Sequence, residues 1–468
     1  MGGDYTRWTF DPTKDYKGVL KQQGRVDVDA DWNELVEIID RRWRTEIIDV
    51  AGQDFVGAAT PNAFLITPVG VNDFSIGIGR LYVDGLVAEC HGVPPAKFDP
   101  ILGEVQETNP VLYSQQPYFP DAPSPLLPPI GGPNAVNTTD LIYLDVWERE
   151  VTAIQDPNIR EKALAGPDTC TRLQTVWQVK DLPNVGAVGC GDDIPAWDAL
   201  VGPSAGRLTT STIPPNPSAT PCILSQTGGY TGLENRLYRV EIHTPGPMGT
   251  AQFKWSRDNA SVVAAVTAIS ASGGTNTLLN VTTLGRDSVL RFNAGDWVEV
   301  LDDNCEFLGV AGHLAKIVAP PDVANLTLTI NPPIPVGFGD FTPGDPNRHT
   351  RVRRWDGRAD LNSDVNAATG LITVSAGPID LEDGIQVSFS DDPVGGNFKT
   401  GDYWIFGHAL LTPPSSRSSK RRRAASFITI AGSASSRGRP RAARSPIADQ
   451  KETSALAGAL AQRPLATA

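Results

Sequence analysis

The amino-acid sequence predicts a mainly β, multi-domain protein made of small β-barrel or sandwich modules, with one N-terminal amphipathic helix and a disordered C-terminal tail. Three observations predict it. The chain holds 45 glycines and 39 prolines among 468 residues, and proline neither donates a backbone hydrogen bond nor fits a helix interior. Short apolar runs bounded by Gly, Pro, Asn and Asp recur from residue 76 to residue 406, the pattern of strands joined by turns. Helical spacing is clear in one place only, near the start. A chain of this length also exceeds what one core ordinarily serves.

That helix begins where Asp31 and Glu34 stand at capping-box spacing. Trp32, Leu35, Val36, Ile39, Trp43, Ile47 and Val50 then recur at three- and four-residue steps, while Asn33, Glu37, Asp40, Arg41, Arg44 and Glu46 fill the other face. Gly52 is the expected stop. The stripe reads first as core packing; Trp32 and Trp43 together are also candidates for an interaction surface.

From Ile76 the period changes. Arg80 to Glu89 reads as a hairpin turning at Asp84-Gly85, a strong short-range signal. Residues 109–133 carry eight prolines and read as an extended connection. Leu141 to Trp147 and Gln174 to Lys180 are strands, with a short helix expected over Asp156 to Leu164. Residues 181–232, rich in Gly, Pro, Ser and Thr, read as a long loop insertion. Leu237 to Ile242 pairs with Ala251 to Trp255 around Thr244-Pro-Gly-Pro. Val262 to Ile269 pairs with Thr277 to Leu284 around Ser272-Gly-Gly. Val289 to Val300 and Thr400 to Phe406 both place Gly-Asp just before an aromatic-led strand, a recurring local solution. The expected division is an N-terminal segment over 1–108, the proline-rich connection over 109–140, a central β domain over 141–285, a C-terminal β domain over 286–411, and the tail over 412–468.

After Leu411 periodicity stops. The tail holds eleven Lys/Arg against two acids, a net +9, which leaves −22 of the formal −13 total on residues 1–412. Such a segment cannot bury enough apolar surface to offset its ordering entropy. It reads as an out-of-frame or unselected extension, testable by codon usage on either side of Thr412. The acidic body repels phosphate backbones, which argues against nucleic-acid binding by the folded part. No stretch of eighteen apolar residues exists to span a membrane.

The chemistry-bearing residues form no recognised motif. Cys90, Cys170, Cys190, Cys222 and Cys305 lack C-x-x-C spacing and read as reduced thiols, with Cys170–Cys190 the pair to expect if a disulfide forms. His91, His243, His313, His349 and His408 are isolated, so no metal and no cofactor is expected. Nucleophile elbow, phosphate loop and dinucleotide fingerprint are all missing. Arg351, Arg353 and Arg354 crowd Trp355 and Asp356; the functional reading is anion or partner binding with an arginine stacked on the indole, the plainer one an ion-paired strand edge or turn. Asp302-Asp303-Asn304 and Asp391-Asp392 read as solvated turns before calcium ligands. A glycosidase pair would have to come from Asp145, Glu148, Glu241, Asp258 or Asp356, and spacing does not choose among them.

Several phrases resemble an uncharacterised bacterial family of large β-rich proteins carrying a domain of unknown function: Asp4-Tyr-Thr-Arg-Trp-Thr-Phe-Asp-Pro, Gln23-Gly-Arg-Val-Asp-Val-Asp-Ala-Asp-Trp-Asn-Glu, Tyr143-Leu-Asp-Val-Trp-Glu-Arg, Gly232-Leu-Glu-Asn-Arg-Leu-Tyr-Arg-Val-Glu-Ile-His, Phe253-Lys-Trp-Ser-Arg-Asp-Asn and Arg354-Trp-Asp-Gly. The resemblance spans residues 4–406, is expected to leave the family pattern near Leu411, and implies no activity. The opening segment is also similar to the start of some phage tail and baseplate structural proteins. That similarity implies a docking helix followed by exposed or shaft-like β-domains, with cytoplasmic synthesis and incorporation into a virion-like or extracellular particle. The expected function is a non-catalytic structural or adaptor protein whose partners are other proteins of an assembly, itself included. The alternatives are a carbohydrate- or cell-surface-binding module using exposed tryptophans and, behind it, a polysaccharide-cleaving enzyme.

Overall fold

The structure, a computed structural model, describes residues 2–69, 73–95, 108–119, 140–183, 185–186, 188, 192–214, 229–232, 234–288, 290–360, 362–408, 416–418 and 422–424. It is mainly β and divides into two compact units, each discontinuous in sequence. The first comprises Met1–Asp40, Arg149–Gln174 and Pro203–Lys420, the second Arg41–Glu148, Thr175–Gly202 and Arg421–Ala468.

The first unit is built on a closed six-stranded antiparallel barrel. Around it run Val263–Ser272, Asn276–Val281, Thr327–Asn331, His313–Ile317, Trp297–Leu301 and Arg351–Trp355, the last pairing back with the first. Successive side chains of a strand point to opposite faces. Val298, Val300 and Val352 therefore join Leu279, Ile317, Leu328 and Ile330 inside, while Trp297, Glu299, Arg351, Arg353 and Trp355 point outward. Closure leaves this sheet with no exposed edge. Beside it, a five-stranded sheet (Ile372–Thr373, Gln252–Ser256, Arg236–Thr244, Tyr403–His408, Ser416–Ser418) and a three-stranded one (Ile379–Asp380, Ile385–Asp391, Gly206–Thr212) share a core. Tyr238, Val240, Phe253 and Trp255 from one sheet meet Val387 and Phe389 from the other, a sandwich.

The two Gly-Asp phrases are the same turn twice. The Asp296 carboxylate accepts from Asn293 N (2.9 Å) and the Asp402 carboxylate from Lys399 N (2.8 Å). Each aspartate's own amide returns to the same residue, Asn293 O (3.2 Å) and Lys399 O (3.1 Å). Gly295 and Gly401 supply the left-handed backbone, φ 94° and 80°.

The second unit packs three three-stranded sheets around one core. They are Asp54–Val56 with Gly79–Val83 and Leu86–Cys90; Ile66–Val69 with Asp73–Ile76 and Val111–Leu112; and Arg422–Ala424 with Leu141–Val151 and Arg172–Leu182. The hairpin turns where expected. Asp84 and Gly85 both have positive φ (48° and 75°) between the paired residues Val83 and Leu86.

Several expectations change. Asp156 to Leu164 forms two 3-10 turns, Pro157–Ile159 and Lys162–Leu164, because a capping acid, Asp156 or Glu161, opens each separately. The aromatic-led strand after Gly295-Asp296 starts at Trp297, as expected, with Asn293 to Asp296 spent on the turn. Within 181–232, read as a loop, lie a helix, Pro195–Val201, and the strand Gly206–Thr212. Its three threonines are β-branched and suit a strand, although composition reads as loop. Of the 109–140 connection, residues 109–119 and 140 are described and the rest lies outside the described residues. Within the 412–468 tail, Ser416–Ser418 pairs with Tyr403–His408 and Arg422–Ala424 with Leu141–Val151; its other positions lie outside the described residues. Cys90, Cys170 and Cys305 are free thiols, as the reduced-thiol reading has them, and Cys190 and Cys222 lie outside the described residues. Among the described residues no helix is long and apolar enough to cross a membrane.

Candidate interaction surface

The helix runs from Asp29 to Ala51, two residues earlier than the capping-box spacing places it. Asp29 takes hydrogen bonds from Thr6 N (2.9 Å) and Thr6 Oγ1 (2.7 Å), and the Thr9 hydroxyl donates to Glu34. These bonds hold the opening segment along the first turns. Gly52, with φ 99° and its amide on Ile48 O (3.0 Å), ends the helix as expected.

The face expected to pack in the core is the one left exposed. Trp32 is 65% exposed, Trp43 68% and Val50 82%, with Val36 and Ile39 also in solvent, whereas Ala30, Glu37 and Ile38 are buried. Positions 32, 36, 39, 43, 46 and 50 alternate steps of four and three, the seam spacing of a coiled coil. Glu46 is the one polar residue in that seam. The core reading of the stripe therefore does not hold for Trp32 and Trp43.

The Arg351–Trp355 cluster goes the other way. It is neither an edge nor a turn but an interior barrel strand, paired on both sides and buried along its whole length. Arg351 grips Asp303 (2.6 Å) and Glu306 (2.8 Å). Arg354 reaches Asp258 (3.3 Å) and Asp356 (3.2 Å). Asp356 also accepts from Arg257 N (2.9 Å) and Ser256 Oγ (3.1 Å). The Trp355 indole N–H donates to Glu299 (3.0 Å). Arg353 lies near the Trp355 ring (5.9 Å). Burial lowers its pKa, with Glu241 and Glu299 opposing.

Between the barrel and the five-stranded sheet this produces a buried ionic layer that the sequence did not reveal. Lys254 bonds Glu299 (2.6 Å) and Glu241 (3.3 Å) and lies 4.5 Å from the Trp355 ring. Arg239 holds Glu241 (2.6 Å) and stacks on Tyr403 at 3.6 Å. Burial pushes Glu299 up, but Lys254 overrides it and holds the carboxyl at about 2. Glu241, likewise buried, is held low by Arg239 and Lys254. His243 is pushed down to about 4 by burial and by the Lys254 charge. A second cluster surrounds the short helix Asp303–Leu308. Burial raises Asp303, yet its His349 bond (2.9 Å), Arg351 and Arg149 bring it to about 2. A signal was present: Glu299 interrupts the apolar run Trp-Val-Glu-Val-Leu, and a charge on a fully buried strand requires a partner.

The other candidates are structural in placement. Asp302 caps the short helix, accepting from Cys305 N (3.0 Å), and pairs with Arg348. Asp391 accepts from Gly395 N (2.6 Å) in a turn, and Asp145 pairs with Lys180 (2.6 Å). Among the described residues no group of three or more His, Cys, Asp or Glu is arranged to hold a metal.

Comparison with known proteins places the chain in a family of unknown function, DUF6519, matched over residues 1–194 and 202–432. The chain belongs to that family. The match runs past Leu411 and Thr412, so the family pattern does not end where the sequence reading placed its end. No curated protein and no solved structure matches.

Proposed function

We propose that this chain is a non-catalytic structural or adaptor protein of a multi-protein assembly, of the phage-tail-like kind or similar, and that it docks through the Asp29–Ala51 helix onto a second copy of itself. The observation that carries this is the exposed seam Trp32, Val36, Ile39, Trp43 and Val50. A stripe of this size in water is costly unless covered, and a seven-residue repeat is the surface one helix offers another. In a parallel pair Leu35 faces Asp40 and Arg42 faces Ile47 at the flanking positions, and the one like-charge contact across the seam is Glu46 against its counterpart. That contact costs stability.

A glycosidase acid needs a raised pKa. Of the candidates, Glu241 is held low by Arg239 and Lys254, and Asp258, which burial and the Asp356 charge raise, is paired with Arg354. For the carbohydrate-binding alternative, Trp147, Trp177, Trp255, Trp297, Trp355 and Trp404 are buried. Trp32 and Trp43 lie on a convex helix face, and ligand sites are concave.

Cysteine cross-linking tests the docking mode. In a Cys170→Ser background, Ile39→Cys should form a disulfide-linked dimer on mild oxidation, because equivalent seam positions meet in a parallel pair. Arg41→Cys, exposed but off the seam, should not. Equal cross-linking of both, or of neither, would overturn the assignment.

A further inference from the structure

The second unit contains a group of oxygens with no visible reason to be left as they are. Asp181, near the end of the strand Arg172–Leu182, has both carboxylate oxygens sealed from solvent without a hydrogen-bond partner. The Tyr113 hydroxyl is in the same condition, on a residue only 5% exposed. Gln116 joins the two regions. Its amide donates to Tyr113 O (3.1 Å) and Val179 O (2.9 Å) and accepts from Val179 N (2.7 Å). Val179 is two residues from Asp181, so on the same strand face. Asp140, also buried, stands just before Leu141–Val151, the neighbouring strand of the same sheet. Lys180 is turned to Asp145 (2.6 Å). Burial and the Asp140 charge push the Asp181 carboxyl up to about 7. Burial and the Asp181 charge likewise raise the Tyr113 phenol.

A buried carboxylate without hydrogen bonds or a counter-charge is too costly to stand alone. Protonation would remove the charge and still leave the Asp181 oxygens and the phenol unbonded. We infer that Asp181, Asp140 and Tyr113 form an oxygen-lined site for a hard divalent cation of the calcium class. Two carboxylates and a phenol are too few to complete calcium's shell. Water, which calcium accepts among its roughly six to eight oxygen ligands, completes the shell. The absence of nitrogen and sulfur ligands excludes softer metals as the intended occupant.

The test uses the full-length protein stripped with EDTA. Calcium chloride at a hundredfold excess over Kd should raise the unfolding midpoint by about 5 °C. Terbium should give saturable luminescence when excited through the nearby tyrosines, and calcium should displace it. Asp181→Asn should abolish both responses while its midpoint in EDTA stays at or above that of the wild type. Tyr113→Phe keeps the ring packing and should weaken terbium binding several-fold, a readout that stands if the first variant misfolds. No midpoint shift and no terbium signal in the wild type would overturn the site, as would an undiminished response in Asp181→Asn.

Discussion

Lys254, Glu241 and Glu299 show how this chain uses charge. Each is buried and each is answered by another, so the interaction matters most through what its loss leaves behind. Removing one partner of a buried pair typically costs about 3–5 kcal/mol, because the remaining charge is stranded. Glu299→Ala should therefore lower the free energy of unfolding by roughly that amount in urea titration, and a change under about 1 kcal/mol would refute the buried-network account. The same layer sets a pH dependence. His243 titrates at about 4 in the fold against an ordinary 6.5, so the unfolded chain binds its proton more readily. Its contribution is complete above 6.5 and is lost as pH falls toward 4. Asp303, at about 2 against 3.8, adds a second loss as pH falls from near 4 toward 2. Urea midpoints should decline between pH 6.5 and 4, and His243→Gln should flatten that window. An unchanged slope would contradict it.

At the scale of elements, local chemistry was legible and the identity of the buried face was not. The Asp84-Gly85 hairpin, the Gly52 stop and the two Gly-Asp turns were readable because each depends on residues a few positions apart. The helix stripe was readable as a stripe, but three-four spacing is identical whether the other side is core or a partner. The strand Arg351–Trp355 misled for the opposite reason. Its arginines are answered by Glu306, Asp303 and Asp258, tens of residues away, and sequence does not give that proximity. The threonine-rich strand Gly206–Thr212 was missed because its pairing strand, Ile385–Asp391, is far along the chain. Two substitutions separate the element-level roles. Trp32→Ala, on an exposed face, should change stability by no more than about 0.5 kcal/mol in denaturant titration while weakening association. Gly370→Ala should cost at least about 2 kcal/mol, since φ is 71° and a Cβ would lie 2.3 Å from the Trp297 ring. A neutral Gly370→Ala would refute that close packing.

At the scale of the whole molecule, residues 1–412 carry −22, so two copies repel at long range while the helix seam attracts at contact. Screening shortens the repulsion to about 10 Å at 0.1 M salt, and association should strengthen as salt rises from low ionic strength. A constant taken by sedimentation at two salt concentrations checks this; weakening with salt would point to an electrostatic interface elsewhere. The most direct measurement is the solution mass by light scattering across a concentration series. The account predicts twice the 50.0 kDa monomer for the wild type and return to the monomer for Trp43→Glu. A wild type that stays at 50.0 kDa at every concentration, or an oligomer indifferent to Trp43→Glu, would contradict it.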